Sequence, residues 1–120
     1  FFTAMGGFDE SFRRLEDYEF FLRFRRYNGK LIVVEEALSF IERQPHANLN
    51  DVVISCKKIF HKHWHLANTV RLKRYMLGYL FLEIGATAYY SHKLLIGITA
   101  LLLSFSLVPR ASPQLKTWWR

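Results

Sequence analysis

The stretch "GGFDESFRRLEDYEFFLRF", residues 6–24, decides how the first half of the chain is read. Gly6-Gly7 marks a tight turn, because glycine takes up positive φ without steric cost. Residues 9–14 form a short polar connection. From Glu16 to about Tyr27 the spacing predicts a helix, ended by Asn28-Gly29 in the left-handed conformation. Acids in its first turn suit the positive end of the helix dipole, a contribution of up to about 1 kcal/mol. Glu19 is placed to pair with Arg23 at i,i+4. At 3.6 residues per turn, Asp17, Phe20, Phe21 and Phe24 share one face. Asp17 is therefore expected to point towards the core or a cleft, with Glu16 and Glu19 turned elsewhere. A carboxylate at the mouth of an apolar wall can be tuned as a general base.

Beyond this helix, Leu31, Ile32, Val33 and Val34 form a β-branched run that predicts a short buried strand, with a second at residues 38–41. Residues 43–50 ("RQPHANLN") read as a loop. Asn50-Asp51 caps an expected long helix running towards Tyr75. Two more helices follow at about residues 75–90 and 94–107, stopped by Pro109 and Pro113. The character of the chain changes at Asn50, from mixed α/β to all-helical. Residues 94–108 ("LLIGITALLLSFSLV") are 15 in number, whereas a spanning helix needs about 20 apolar residues. They are read as a buried core helix.

At 120 residues, half of them hydrophobic and 17% aromatic, the chain suits a packed domain rather than a disordered one. The net charge is +7, of which +5 falls in residues 51–75. That stripe suits anionic partners such as phosphates or acidic lipid heads, and equally a solvated helix face. Nucleic acid is disfavoured, since the basic residues lack a reading motif and the aromatics follow the apolar faces. Cys56 is alone, which excludes an intrachain disulfide.

The order and spacing of Gly6, Gly7, Phe8, Asp9 and Glu10, then Glu16-Asp17, Arg23, Gly29 and the 31–34 run, carry a resemblance. They resemble the segment of family 2 glycosyltransferases that follows the nucleotide-binding half. The resemblance implies an α/β fragment over residues 1–50, the acceptor-side part of a GT-A fold with loop, helix and short strands. It also implies inverting transfer of a sugar from a nucleotide-sugar to an acceptor hydroxyl on a glycan or a lipid-linked molecule. Asp17 would be the catalytic base, with Glu16 in support and Gly6, Gly7, Phe8, Asp9 and Glu10 beside the acceptor. The chemistry agrees, because the attacking hydroxyl must lose its proton and a carboxylate within reach can take it. Arg43 and His46, with Asn48 and Asn50, resemble a loop near the diphosphate and metal, although Pro45 stands where the family places its His.

The processive members' Gln-x-x-Arg-Trp motif is absent, which favours single additions, as in enzymes of bacterial cell-surface polysaccharide. The family's divalent metal, Mg or Mn, would be held mainly by the nucleotide-binding half. This chain has no Asp-x-Asp and no glycine-rich phosphate cradle. It opens Phe1-Phe2-Thr3-Ala4 without an initiator Met, and is expected to be the tail of a longer, cytoplasmic enzyme, inactive in isolation. The basic stripe would suit a peripheral site at the inner face of the membrane.

Residues 51–120 are read as an all-α extension of about three helices. His61 and His65 are spaced to share a helix face, but they lack a third ligand and sit among Lys57, Lys58 and Lys62, so no metal site is assigned. Val53, Cys56, Phe60, Trp64 and Ala67 are expected on the buried face. Phe81, Ile84, Gly85 and Ala88, then Gly97, Leu101, Ser104 and Pro109, resemble a tetratricopeptide-like hairpin at about residues 75–109. A competing function is a non-catalytic helical module whose basic 51–75 helix recruits an anionic or protein partner.

Overall fold

The computed structural model describes residues 2–30, 32 and 47–108. Its regular elements are α1 (Glu16–Arg26), α2 (Leu49–His63), α3 (Val70–Tyr90) and α4 (Leu94–Leu107), with 3-10 turns at Thr3–Met5 and Trp64–Leu66. Every regular element among the described residues is thus helical, and the α/β expectation for residues 1–50 is corrected to an all-α architecture. Ile32 lies outside any strand, and the other residues of the two expected strands lie outside the described residues. A strand is stable only against paired neighbours, and none is present among the described residues.

Local chemistry explains where the helices start and stop. α1 carries Glu16, Asp17 and Glu19 in its first turn and Arg23, Arg25 and Arg26 in its last, matching its dipole at both ends. Asn28 takes the left-handed conformation (φ 52°) just beyond it. The Asn48 side chain accepts the Asn50 N–H at 2.8 Å and caps α2. The expected long helix over residues 51–75 is broken: α2 ends at His63, and Thr69 opens α3 by accepting the Leu72 N–H at 3.2 Å. A threonine cap satisfies amides that a continuous helix would have bonded internally, so the chain restarts there.

The core lies between the loop before α1, α2 and α3. Phe12, Val52, Cys56, Ile59, Met76 and Leu80 form its centre, with Leu15, Tyr18, Leu22, Phe60, Trp64 and Ile84 packed around it. The buried stripe of α2 is centred on Val52, Cys56 and Ile59, about one residue away from the expected stripe. Val53, Phe60 and Trp64 sit at its half-buried edge.

α4 is not a core helix. It pairs with α3 through small residues, burying Gly97, Ala100 and Ser104 and turning its large side chains outwards. A methyl group at Gly97 would meet the Tyr89 N at 3.2 Å and the Gly85 O at 3.3 Å, so the backbones touch at the crossing. The hairpin expected from Gly85 and Gly97 is therefore formed, and among the described elements α4 packs chiefly on α3.

Candidate active site

The loop of residues 6–10 is built by two consecutive left-handed glycines, Gly6 at φ 81° and Gly7 at φ 65°. The Gly6 N–H bonds the Thr3 O and the Gly7 N–H bonds the Phe2 O, folding the chain back on itself. Asp9 accepts the Ser11 N–H at 3.0 Å, and Phe12 then inserts into the core.

What holds this loop to the helices is a buried acid. The Glu19 side chain is 0% exposed. The Arg23 Nε donates to both of its oxygens at 3.0 and 2.9 Å. The Lys62 Nζ donates at 2.8 Å and the His63 Nε2 lies at 3.1 Å. Arg23 in turn donates to the Met5 O and the Gly7 O, both at 2.6 Å. Lys62 also reaches Asp9 at 2.8 Å. Glycine loop, α1 and the end of α2 are therefore clamped into one unit by charge-assisted hydrogen bonds, the stronger kind.

These contacts set the ionisation of the group. Burial pushes the Glu19 carboxyl up, but the hydrogen bonds from Lys62, Arg23 and His63 outweigh it and hold the pKa below the usual value. Lys62 shows the mirror image: burial pulls its ammonium down, and Asp9 and Glu19 more than restore it. The hydrogen bonds from Lys62 and then Ser11 hold Asp9 well below the carboxylate range. Burial keeps His63 neutral to lower pH than usual despite Glu19. With Glu19 ionised, the imidazole proton sits on Nε2, and the buried Nδ1 is left as an acceptor without a partner among the described residues. His63 also lines a cavity of about 250 Å³ together with Tyr18, Leu22, Arg25, Leu72 and Met76.

Asp17 stands differently from its expected position. It is exposed, and its Oδ1 accepts the Tyr18 N–H at 2.7 Å. Glu16 is exposed as well. The face of α1 that enters the core is Leu15, Tyr18, Glu19 and Leu22, not the face of Asp17, Phe20, Phe21 and Phe24. The phenylalanine stripe instead joins Phe2 and Phe8 in a surface cluster, with Phe2–Phe20 and Phe8–Phe20 centroids 5.2 and 5.3 Å apart. Phe2, Phe8 and Phe21 remain about half exposed. Phe8, in the glycine loop, thus packs on the Phe20 side of α1. Glu10 is exposed.

Two groups near Asp17 were not visible as site residues in the sequence. Tyr79 on α3 stacks on Tyr18 with centroids 4.1 Å apart. Glu83, one turn further on, has its carboxyl pushed up by burial and by the charge of Asp17, against a hydrogen bond from Tyr79. The one acid inside the apolar 75–90 segment was the signal that could have marked it. The family resemblance calls for a divalent metal, but the described residues contain no group of three His, Cys, Asp or Glu able to hold one. Arg43 and His46 lie outside the described residues. Neither a protein-family model, nor a curated protein, nor a solved structure matches this chain.

Proposed function

We propose that this chain forms the acceptor side of an inverting glycosyltransferase of the family 2 kind, with Asp17 as its base. The observation that carries this reading is the clamp. Arg23, held by Glu19, ties the carbonyls of Met5 and Gly7 to α1, so loop and acid-bearing helix start move as one body. Asp17 is exposed in the first turn of that clamped helix, open to an acceptor. In the reaction the acceptor oxygen bonds to the anomeric carbon. The carbon–oxygen bond to the nucleoside diphosphate breaks, its electron pair leaving with the diphosphate, and the hydroxyl proton passes to Asp17. The nucleotide-sugar would be held by a nucleotide-binding half packed against the exposed Phe2, Phe8 and Phe21 cluster. The metal such enzymes use would be bound in that half.

The test is Asp17→Asn in an enzyme carrying both halves. General-base catalysis contributes typically about 10²- to 10⁴-fold, so transfer should fall by that range while calorimetric nucleotide-sugar binding is unchanged. Activity within a few-fold of the parent would remove Asp17 from the role. A second reading is a non-catalytic module in which the basic residues of α2 and α3 recruit an anionic or protein partner. The exposure of Asp17 favours it, since a surface acid in a first turn is satisfied by the helix dipole alone. It predicts a partner-binding defect on neutralising Lys57, Arg71 and Arg74, and none on Asp17→Asn.

A further inference from the structure

We propose that the outer face of α4 seats the chain on the surface of a lipid bilayer. The face is wide and mostly apolar, with Thr99 between its two most exposed leucines. Leu95 is 85% exposed and Leu102 65%, and Leu94, Ile96, Ile98, Leu103 and Phe105 are exposed beside them. Residues 94–107 contain no charged side chain. An apolar patch of this kind on a soluble surface marks a contact with another phase or partner.

Three further observations select lipid. First, the side-chain hydroxyls at Thr99, Ser104 and Ser106 of α4 ask nothing of water. The hydroxyls of Thr99 and Ser106 donate to the carbonyls of Leu95 and Leu103, both at 2.8 Å, and Ser104 donates to the Gly78 O at 2.7 Å. Polar groups entering an apolar medium must be satisfied internally in this way. Second, the hairpin closes through Gly85, Gly97 and Ser104, which brings backbones together and leaves the leucines outside. Helices associate so where the surrounding solvent is itself apolar. Third, the ends of the hairpin carry the complementary charge. Exposed Lys93 stands at its tip with Tyr89 and Tyr90, and exposed Arg71 and Arg74 lie in the part of α3 that extends past the end of α4. Cations and tyrosines flanking an apolar strip match anionic head groups and the membrane–water interface.

The geometry is that of a helix lying in the interface. α4 has 14 residues, about 21 Å at 1.5 Å per residue, against a hydrocarbon core of about 30 Å. No helix among the described residues is long and apolar enough to cross a membrane. Seating on lipid needs nothing from Asp17 and stands whether or not the sugar-transfer reading does.

The experiment is sedimentation of the full chain with vesicles of equal parts phosphatidylcholine and phosphatidylglycerol, repeated in 1 M salt, where the Debye length is about 3 Å. The chain should sediment with the vesicles and stay largely bound in salt, because apolar insertion is not screened. Each leucine buried in the membrane is worth roughly a tenfold factor or more in partitioning. Leu95→Asp with Leu102→Asp should therefore lower binding about a hundredfold or more, with an unchanged helical circular dichroism spectrum. If that pair loses helicity, Leu95→Ser with Leu102→Ser is read against the same expectation of clear loss. The proposal is overturned if the parent stays in the supernatant, if parent and variant sediment alike, or if salt releases the parent completely. It is overturned equally if the parent is a dimer in the ultracentrifuge that the same substitutions disperse, without vesicle binding. A second copy would then cover the face.

Discussion

Replacing Glu19 by glutamine tests the clamp most directly. The amide keeps the shape of the side chain but removes the charge around which Arg23, Lys62 and His63 are arranged. Lys62 is 41% exposed and can turn to water, so its loss counts for little. Arg23 is only 17% exposed and stays fixed by the Met5 and Gly7 carbonyls, so its charge is left without a counter-ion. Breaking one partner of a buried pair costs roughly 3–5 kcal/mol, and the amide's remaining hydrogen bonds place the expected loss near the bottom of that range, about 3 kcal/mol. Urea unfolding followed by circular dichroism at pH 7 measures it, with the slope of the transition unchanged if only stability has altered.

The pH dependence supplies the control. The folded pKa of Glu19 lies below the ordinary value of 4.5, so its ionisation stabilises the fold fully above that pH. This contribution is lost as pH falls through the lower folded pKa. Asp9 has the same sign and titrates in both proteins, so the gap between parent and Glu19→Gln carries Glu19 together with His63, whose imidazole Glu19 raises. That gap should shrink on acidification below about pH 4.5. A loss under about 1 kcal/mol at pH 7 would mean that the net hydrogen bonding at Glu19 is no better than an ordinary pair. A gap that stays constant down to low pH would mean that charge plays no part, and the reasoning about the clamp would be wrong.

Other outcomes follow from the packing. Gly97→Val should destabilise the fold by about 1–3 kcal/mol, because the added atoms meet the Tyr89 N and Gly85 O, backbone atoms that cannot turn aside; thermal unfolding reads it, and an unchanged midpoint would show that the hairpin can open at the crossing. The Cys56 thiol is pushed up to about 12 by burial and by the charge of Glu83. It should react with a thiol reagent at pH 8 only after unfolding, and rapid labelling of the folded protein would contradict the placement of Cys56 in the core. Ile59, 0% exposed at the centre of the core, should cost about 2–5 kcal/mol as alanine in the same urea assay. A loss below about 1 kcal/mol would mean that the core collapses around the gap.

The ends of α1 and α4 were legible because they depend on nearest neighbours. The acids of the first turn, the Asn28 stop and the expected 94–107 span all reappear in place. The break between α2 and α3 was missed, since Asn68-Thr69 is a cap only when the following amides turn towards it. The core face of α1 was misjudged for a different reason. The helix bears two apolar stripes, Leu15, Tyr18 and Leu22 on one side and three phenylalanines on the other, and periodicity weighs them equally. Which one is buried depends on the surface that α2 and α3 present.

Glu19 makes the same point at the candidate site. Local spacing foresaw its pairing with Arg23, but its burial rests on Lys62 and on His63, 44 residues away in sequence. Propensity, capping and glycine φ act over a few residues, so α1, α4, the Gly6-Gly7 turn and the Gly85–Gly97 crossing could be read locally. Which acid is buried, which is exposed, and that the leucines of α4 face outwards were settled by packing. Burial is a relation between two surfaces, and their meeting is set by packing over the whole chain.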